Sequence, residues 1–151
     1  MKLTPKKINK FLLFKLPSAW FCGVRVKEIS AEKCSASVGL KWINQNPFNS
    51  MYFAVQAMAA ELTTGALVMQ SIANENQKIS MLVAENKAEF LKKAKGKITF
   101  YCEDGKALDE AMKLCIKQEE GSSLWMKSIG INEQNETVSI FHFKWTLKVK
   151  K

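Results

Sequence analysis

Apolar residues recur along this chain with two different periods, and the changes of period divide it into elements. Ile8, Phe11, Leu12 and Leu16 return every three or four positions, which predicts an amphipathic helix over about 3–16, stopped by Pro17. The period then drops to two. Trp20, Cys22, Val24 and Val26 alternate through 20–29, and Cys34, Ala36, Val38, Leu40 and Trp42 through 33–42, with Ser30-Ala31-Glu32 as the hairpin loop between them. A long apolar stretch, 49–73, predicts a helix. Strand patterns return at 78–90 and 96–104, joined by a lysine-rich turn that ends at Gly96. Residues 105–118 carry a short amphipathic helix with Leu108, Met112 and Cys115 on one side. Two more strands follow at 122–132 and 137–149. In the last of them Phe141, Phe143, Trp145, Leu147 and Val149 form one face, and His142, Lys144, Thr146 and Lys148 the other.

Hairpins arranged around one long apolar helix predict the α+β class, with a mostly antiparallel sheet of six strands wrapped on that helix. No repeat, Pro- or Gly-rich linker or low-complexity tract divides the chain, so residues 1–151 read as one domain with an N-terminal amphipathic helix.

Composition narrows the possible chemistry. The cysteines (Cys22, Cys34, Cys102, Cys115) are scattered, none with CxxC spacing, and His142 is the single histidine. That combination predicts no metal site and reduced thiols packed as small hydrophobes, hence a cytoplasmic protein. The apolar part of the N-terminus, Phe11-Leu12-Leu13-Phe14, is too short for a signal peptide. Gln56, Glu61, Thr63, Thr64 and Gln70 interrupt the long apolar stretch, which therefore reads as a buried core helix rather than a membrane span. The net charge of +9 suits a polyanion, either a nucleic acid or a phosphorylated molecule such as coenzyme A. The only arginine is Arg25, and no interleaved basic-aromatic motif is present, which argues against nucleic acid.

One charge stands out. From Asn46 to Ala73 the only carboxylate or basic group is Glu61. An acid in an apolar helix is costly unless it is paired, hydrogen-bonded or used. Asn49 or Ser50 suits the N-cap of this helix, and no acid offsets its positive end. Such an end is either an ordinary cap or a place for an anion or a polarised carbonyl oxygen. Glu61 lies twelve positions beyond Asn49, about 18 Å along a helix, too far to work with its own helix end. A second, antiparallel copy of the helix would bring the two together. Ala54, Ala57, Met58, Thr64, Gly65 and Val68 share the Glu61 face and are mostly small. Glu61 is thus either a structural acid, bonded to Thr64 or a strand, or a general base or nucleophile whose pKa burial raises.

The run Asn46 to Ala54 (NPFNSMYFA), followed by Ala59 to Gly65 (AAELTTG), resembles the hotdog-fold thioesterase-like superfamily, in a branch related to acyl-CoA thioesterases. The resemblance covers roughly 18–150. It implies a curved antiparallel sheet wrapping a long central helix, and homodimers or dimers of dimers with active sites at the subunit interface. By position, Glu61 matches the acid that activates water or attacks the thioester. The Asn49-Ser50-Met51 backbone matches the segment that binds the thioester oxygen, and Asn46 lies in the preceding polar loop. Thr64 is the candidate for orienting the acid or the water. The His-Gly-Gly sequence of the phenylacetyl-CoA type is absent, and Asn-Ser stands near its place. The function implied is hydrolysis of an acyl-CoA or acyl-carrier-protein thioester, with coenzyme A as part of the substrate and no separate cofactor. The alternative is a non-catalytic binder of acyl chains or other apolar ligands, for which the seven methionines and nine phenylalanines would make an adaptable lining.

Overall fold

A computed structural model describes residues 2–118 and 120–151. Helix α1 spans Pro5–Lys15, with the Thr4 hydroxyl accepting the Lys7 N–H as its cap and with Ile8 and Leu12 buried. Pro17 ends α1 but also opens a second short helix, α2 (Pro17–Phe21). Proline suits a first helical turn, where its missing N–H has no acceptor to lose. The expected first strand therefore loses Trp20 and Phe21 to α2, and β1 is Arg25–Ile29.

Strand β2 is Cys34–Gly39, shorter than the alternation through Trp42 predicts. The side chain of Asn44 is the cause. Its Nδ2 donates to the carbonyls of Cys22 and Gly39 at 2.9 and 2.8 Å, and its Oδ1 accepts the Lys41 N–H at 2.7 Å. The chain curls into a 3-10 turn at Trp42–Asn44, and Trp42 points outward, 85% exposed.

The central helix α3 is Phe53–Ala73, followed by β3 (Ile79–Phe90), β4 (Lys97–Cys102), α4 (Gly105–Gln118), β5 (Ser122–Ile131) and β6 (Thr137–Val149). The strands form one antiparallel sheet in the order β1-β2-β4-β5-β6-β3. Strand β3 pairs with β6 from Ile79↔Val149 to Phe90↔Ser139, and its other edge is open.

The sheet packs on α3 through β1, β2, β4, β5 and β6. Alternation in β6 buries Phe141, Phe143, Trp145 and Leu147, as its pattern predicts. Phe141 stands at the centre of an aromatic run, 5.6 Å from Phe90 and 6.0 Å from both Phe100 and Phe143. Phe100 lies so close over Gly130 that a Cβ there would come within 2.6 Å of its ring. Buried polar groups fix the helix on the sheet. Thr63 Oγ1 donates to the Ala60 carbonyl at 2.7 Å and is hydrogen-bonded to Ser128 Oγ, 2.8 Å away, and Ser139 Oγ donates to Gln56 Oε1 at 2.9 Å. Among the described residues, no helix is long and apolar enough to cross a membrane.

Candidate active site

The loop before α3 is organised by one side chain. Asn46 Oδ1 accepts the N–H groups of Phe48 and Ser50 at 2.9 and 3.2 Å, and its Nδ2 donates to Ser50 Oγ at 3.0 Å. Asn49 takes the left-handed conformation that closes this turn, at φ 57°. The helix consequently starts later than Asn49 or Ser50: its N-cap is Tyr52, which makes no side-chain capping bond.

This loop changes the expected oxygen-binding groups. The Asn49 N–H donates to the Asn46 carbonyl, the Ser50 N–H to Asn46 Oδ1, and the Met51 N–H to the Ala94 carbonyl at 2.8 Å. All three amides are occupied inside the chain. The Tyr52 N–H goes to the Asn44 carbonyl, and the Val55 and Gln56 N–H groups both reach the Tyr52 carbonyl. Phe53 and Ala54 are left, and their N–H groups have no acceptor among the described residues. The donors available for an oxyanion at this helix end are those two, a few residues beyond the segment matched by sequence.

A cavity of about 550 Å³ opens beside this helix start. Asn46, Ser50, Met51 and Gln56 line it, and Phe48, Tyr52, Phe53, Phe90 and Leu91 give it apolar walls. Lys92 and Lys93 also line it, Lys92 in an ion pair with Glu136. Asn49, Glu61 and Thr64 are not part of this lining.

Glu61 lies eight residues past Phe53, about 12 Å along the helix. The sheet buries most of α3, but Ala54, Ala57, Met58 and Glu61 form a half-buried stripe running outward from the helix start. The Glu61 carboxylate has no hydrogen-bond or ion-pair partner among the described residues, and burial pushes its carboxyl above the ordinary carboxylate value. It folds back toward Gly65. A Cβ at Gly65 would lie 3.0 Å from Glu61 Oε1 and 3.3 Å from Cζ2 of Trp145.

Thr64 does not reach that carboxylate. Its hydroxyl donates to the backbone carbonyl of Glu61 at 2.9 Å and accepts the indole N–H of Trp145 at 2.9 Å. It anchors Trp145 to the helix, and the Glu61 carboxylate lies instead against the slot between the Gly65 position and that indole. Sequence reasoning did not single out Trp145 for the site; its indole N–H, which needs a buried partner, was the available signal. His142 sits in register between Lys87 and Lys127, and Glu89, two positions along β3 from Lys87, lines the same shallow surface pocket.

A family model described as Domain of unknown function (DUF4442) matches residues 4–147. The chain belongs to that family. No curated protein matches this DUF4442 chain. Solved structures do. A Pseudomonas aeruginosa protein of unknown function, described as a probable thioesterase, is 19% identical with a TM-score of 0.82, over 97% of each chain. A thioesterase from Haemophilus influenzae is 12% identical with a TM-score of 0.72, covering 99% of this chain and 93% of that one. A mutant thioesterase from Pseudomonas aeruginosa is 11% identical with a TM-score of 0.74, covering 99% and 97%. At such identities the likeness is one of fold. The DUF4442 chain has the thioesterase-like hotdog fold that the resemblance implied.

Proposed function

We propose that this protein hydrolyses acyl thioesters, of coenzyme A or of an acyl carrier protein, at sites shared between two copies of the chain. The observation that carries this reading is the Glu61 carboxylate: unpartnered, half-buried, raised in pKa, and placed on the stripe of α3 that its own sheet leaves uncovered. A second copy with its helix antiparallel would set Glu61 of one protomer against the helix start of the other. The open edge of β3 supports the same arrangement, because an unpaired strand edge calls for another strand or a cover.

In such a site the Phe53 and Ala54 N–H groups receive the thioester oxygen as it gains charge. Glu61 takes a proton from water, and the hydroxide adds to the carbonyl carbon. The tetrahedral oxyanion collapses and breaks the C–S bond, and the thiolate leaving group recovers the proton from Glu61. A raised pKa makes the carboxylate a stronger base for the first step. In the alternative role Glu61 attacks directly, expelling the thiolate to give a mixed anhydride that water then cleaves. Coenzyme A is then part of the substrate, and the cation of Lys93 in the cavity lining supports contact with its phosphates.

The test is thiol release from a panel of acyl-CoA substrates. The wild-type protein should release thiol, and Glu61→Gln should lose about two to four orders of magnitude in kcat/KM. An inactive wild type that retains a bound acyl ligand, unaffected by Glu61→Gln, would favour the non-catalytic binder instead, for which the apolar cavity walls are the supporting feature.

A further inference from the structure

The charges of the N-terminal part are one-sided. Residues 2–27 carry Lys2, Lys6, Lys7, Lys10, Lys15, Arg25 and Lys27 and no acid, and residues 33–60 again carry no acid. Large apolar side chains stand out from the same region. Phe14 is 68% exposed, Phe21 62% and Trp42 85%, with Leu16 and Ile43 also exposed.

These residues belong to one neighbourhood. Lys7, Lys10, Phe11 and Phe14 share a flank of α1 by their i, i+3, i+4, i+7 spacing. Leu16 joins α1 to α2, and Phe21 ends α2. The turn carrying Trp42 and Ile43 is tied to the end of α2 by the bond from Asn44 to the Cys22 carbonyl. The Lys41 ammonium lies 3.8 Å from the Cβ position of Gly23. Phe14, Leu16, Phe21, Trp42 and Ile43 thus project from separate turns, with lysines among them. The cavity at the start of α3 does not include them.

We propose that this face docks on a lipid bilayer surface carrying anionic headgroups. Aromatic and aliphatic side chains on projecting turns enter the headgroup and acyl boundary, while the lysines meet the lipid charge. A bilayer accepts such scattered projections because it deforms around them, whereas a protein partner must match their shape. A second copy is disfavoured by charge. A twofold interface sets the same patch against itself, and here that would bring mostly cations against cations, because Glu28 and Glu32 are the only acids among residues 2–60 and each already faces a lysine, Lys33 and Lys106. Docking of this kind inserts side chains only to the boundary, so it needs no membrane-crossing helix.

The experiment is sedimentation of the full chain with two vesicle types. One is phosphatidylcholine alone, and the other holds about one part phosphatidylglycerol to three parts phosphatidylcholine. The protein should sediment with the anionic vesicles and not with the neutral ones, and less so as salt rises. Phe21→Ser with Trp42→Ser should weaken partitioning by about tenfold. Lys7→Gln with Lys10→Gln should weaken it by about fivefold for each cation removed. All four side chains are exposed, and unchanged far-UV circular dichroism verifies the fold. Absence of binding to anionic vesicles at low salt would overturn the proposal. So would binding that both double variants leave unchanged, or a change in oligomeric state in Phe21→Ser/Trp42→Ser without any vesicle binding. Capture of an acidic acyl carrier protein in place of vesicles would likewise overturn it. Vesicle binding involves no thioester chemistry, so its failure and the failure of the hydrolase reading are told apart directly.

Discussion

Glu61 and Gly65 stand one helical turn apart, and the carboxylate of the first lies 3.0 Å from the point where any side chain on the second would begin. The Trp145 ring closes the same space from the sheet side, 3.3 Å from that point. Gly65→Ala is therefore a test of position. Alanine gains about 1 kcal/mol of helix propensity, while its methyl group pushes on Glu61 and the indole. The melting temperature should change little. Thioester hydrolysis should fall by about tenfold, as displaced catalytic groups do. An unchanged kcat/KM would mean that the slot does not set the carboxylate.

The raised Glu61 pKa makes a signed prediction for stability. Below the unfolded carboxyl value of about 4.3 both states hold the proton and burial carries no charge penalty. As pH rises, the unfolded chain releases its proton first, so wild-type stability falls until pH passes the folded value. Glu61→Gln has no such fall. The difference in melting temperature, variant minus wild type, should grow as pH rises above the unfolded value and level off once pH passes the raised folded value. Glu85 and Glu136, lowered by their hydrogen bonds from Lys144 and Lys92, act in the opposite sense but equally in both proteins. A difference that is flat with pH would show Glu61 to be ordinary.

Thr64 separates support from catalysis. Thr64→Val removes the acceptor of the buried Trp145 N–H and should cost about 1–3 kcal/mol in denaturant unfolding. Thr64→Ser keeps that bond and should recover most of the loss. Since the hydroxyl does not reach the Glu61 carboxylate, Thr64→Ser should keep kcat/KM within about threefold of wild type, and Thr64→Val, which loosens only the Trp145 wall beside Glu61, should lose no more than about tenfold at temperatures where it is folded. A collapse of activity in stable Thr64→Val would return Thr64 to the reacting groups.

The larger periods in the sequence were legible because local pattern and packing agree. The alternation from Phe141 to Leu147 and the apolar run of α3 each match the face that the structure buries. Glu61 was legible for the same reason, as the charge that breaks such a run. The errors came where one side chain overrides a local pattern. Asn44 ends β2 early and turns Trp42 outward, through bonds to carbonyls at positions 22 and 39. Asn46 holds the chain out of the helix until Tyr52, and the Met51 N–H is taken by Ala94, more than forty residues away. Asn49 and Ser50 look like caps in the sequence, and no local signal records that Ala94 packs there. The N–H groups without an acceptor at the helix start consequently lie later in the chain than the Asn49-Ser50-Met51 segment.

The cysteines give a prediction independent of catalysis. Cys34 and Cys102 face each other across β2 and β4, and burial pushes both thiols up to about 12. Cys115 is also fully buried, whereas Cys22 is partly open. In the native protein one thiol, that of Cys22, should react with a soluble disulfide reagent at mildly alkaline pH. The other three should react only after unfolding. Labelling followed by peptide mass analysis assigns the sites, and rapid native modification of Cys34 or Cys102 would mean that the β2–β4 ladder opens.

The outward stripe of α3 decides whether the site is shared. Ala57 lies between the helix start and Glu61 on that stripe and is half-buried in one copy of the chain. Arginine there can extend its charge to solvent from a half-buried position in an isolated chain, but it would set that charge into the contact if a second helix packs against Ala54, Ala57 and Met58. An unpaired charge buried at an interface typically costs several kcal/mol, enough to dissociate a modest dimer. Ala57→Arg should therefore sediment as a monomer, keep its far-UV circular dichroism, and lose thioester hydrolysis together with dimerisation. Mixing it with Glu61→Gln should restore little activity, because the arginine blocks both contacts of the pair. If Ala57→Arg remains dimeric and fully active, the second copy packs elsewhere, and Glu61 must find its oxygen-binding partner within its own chain.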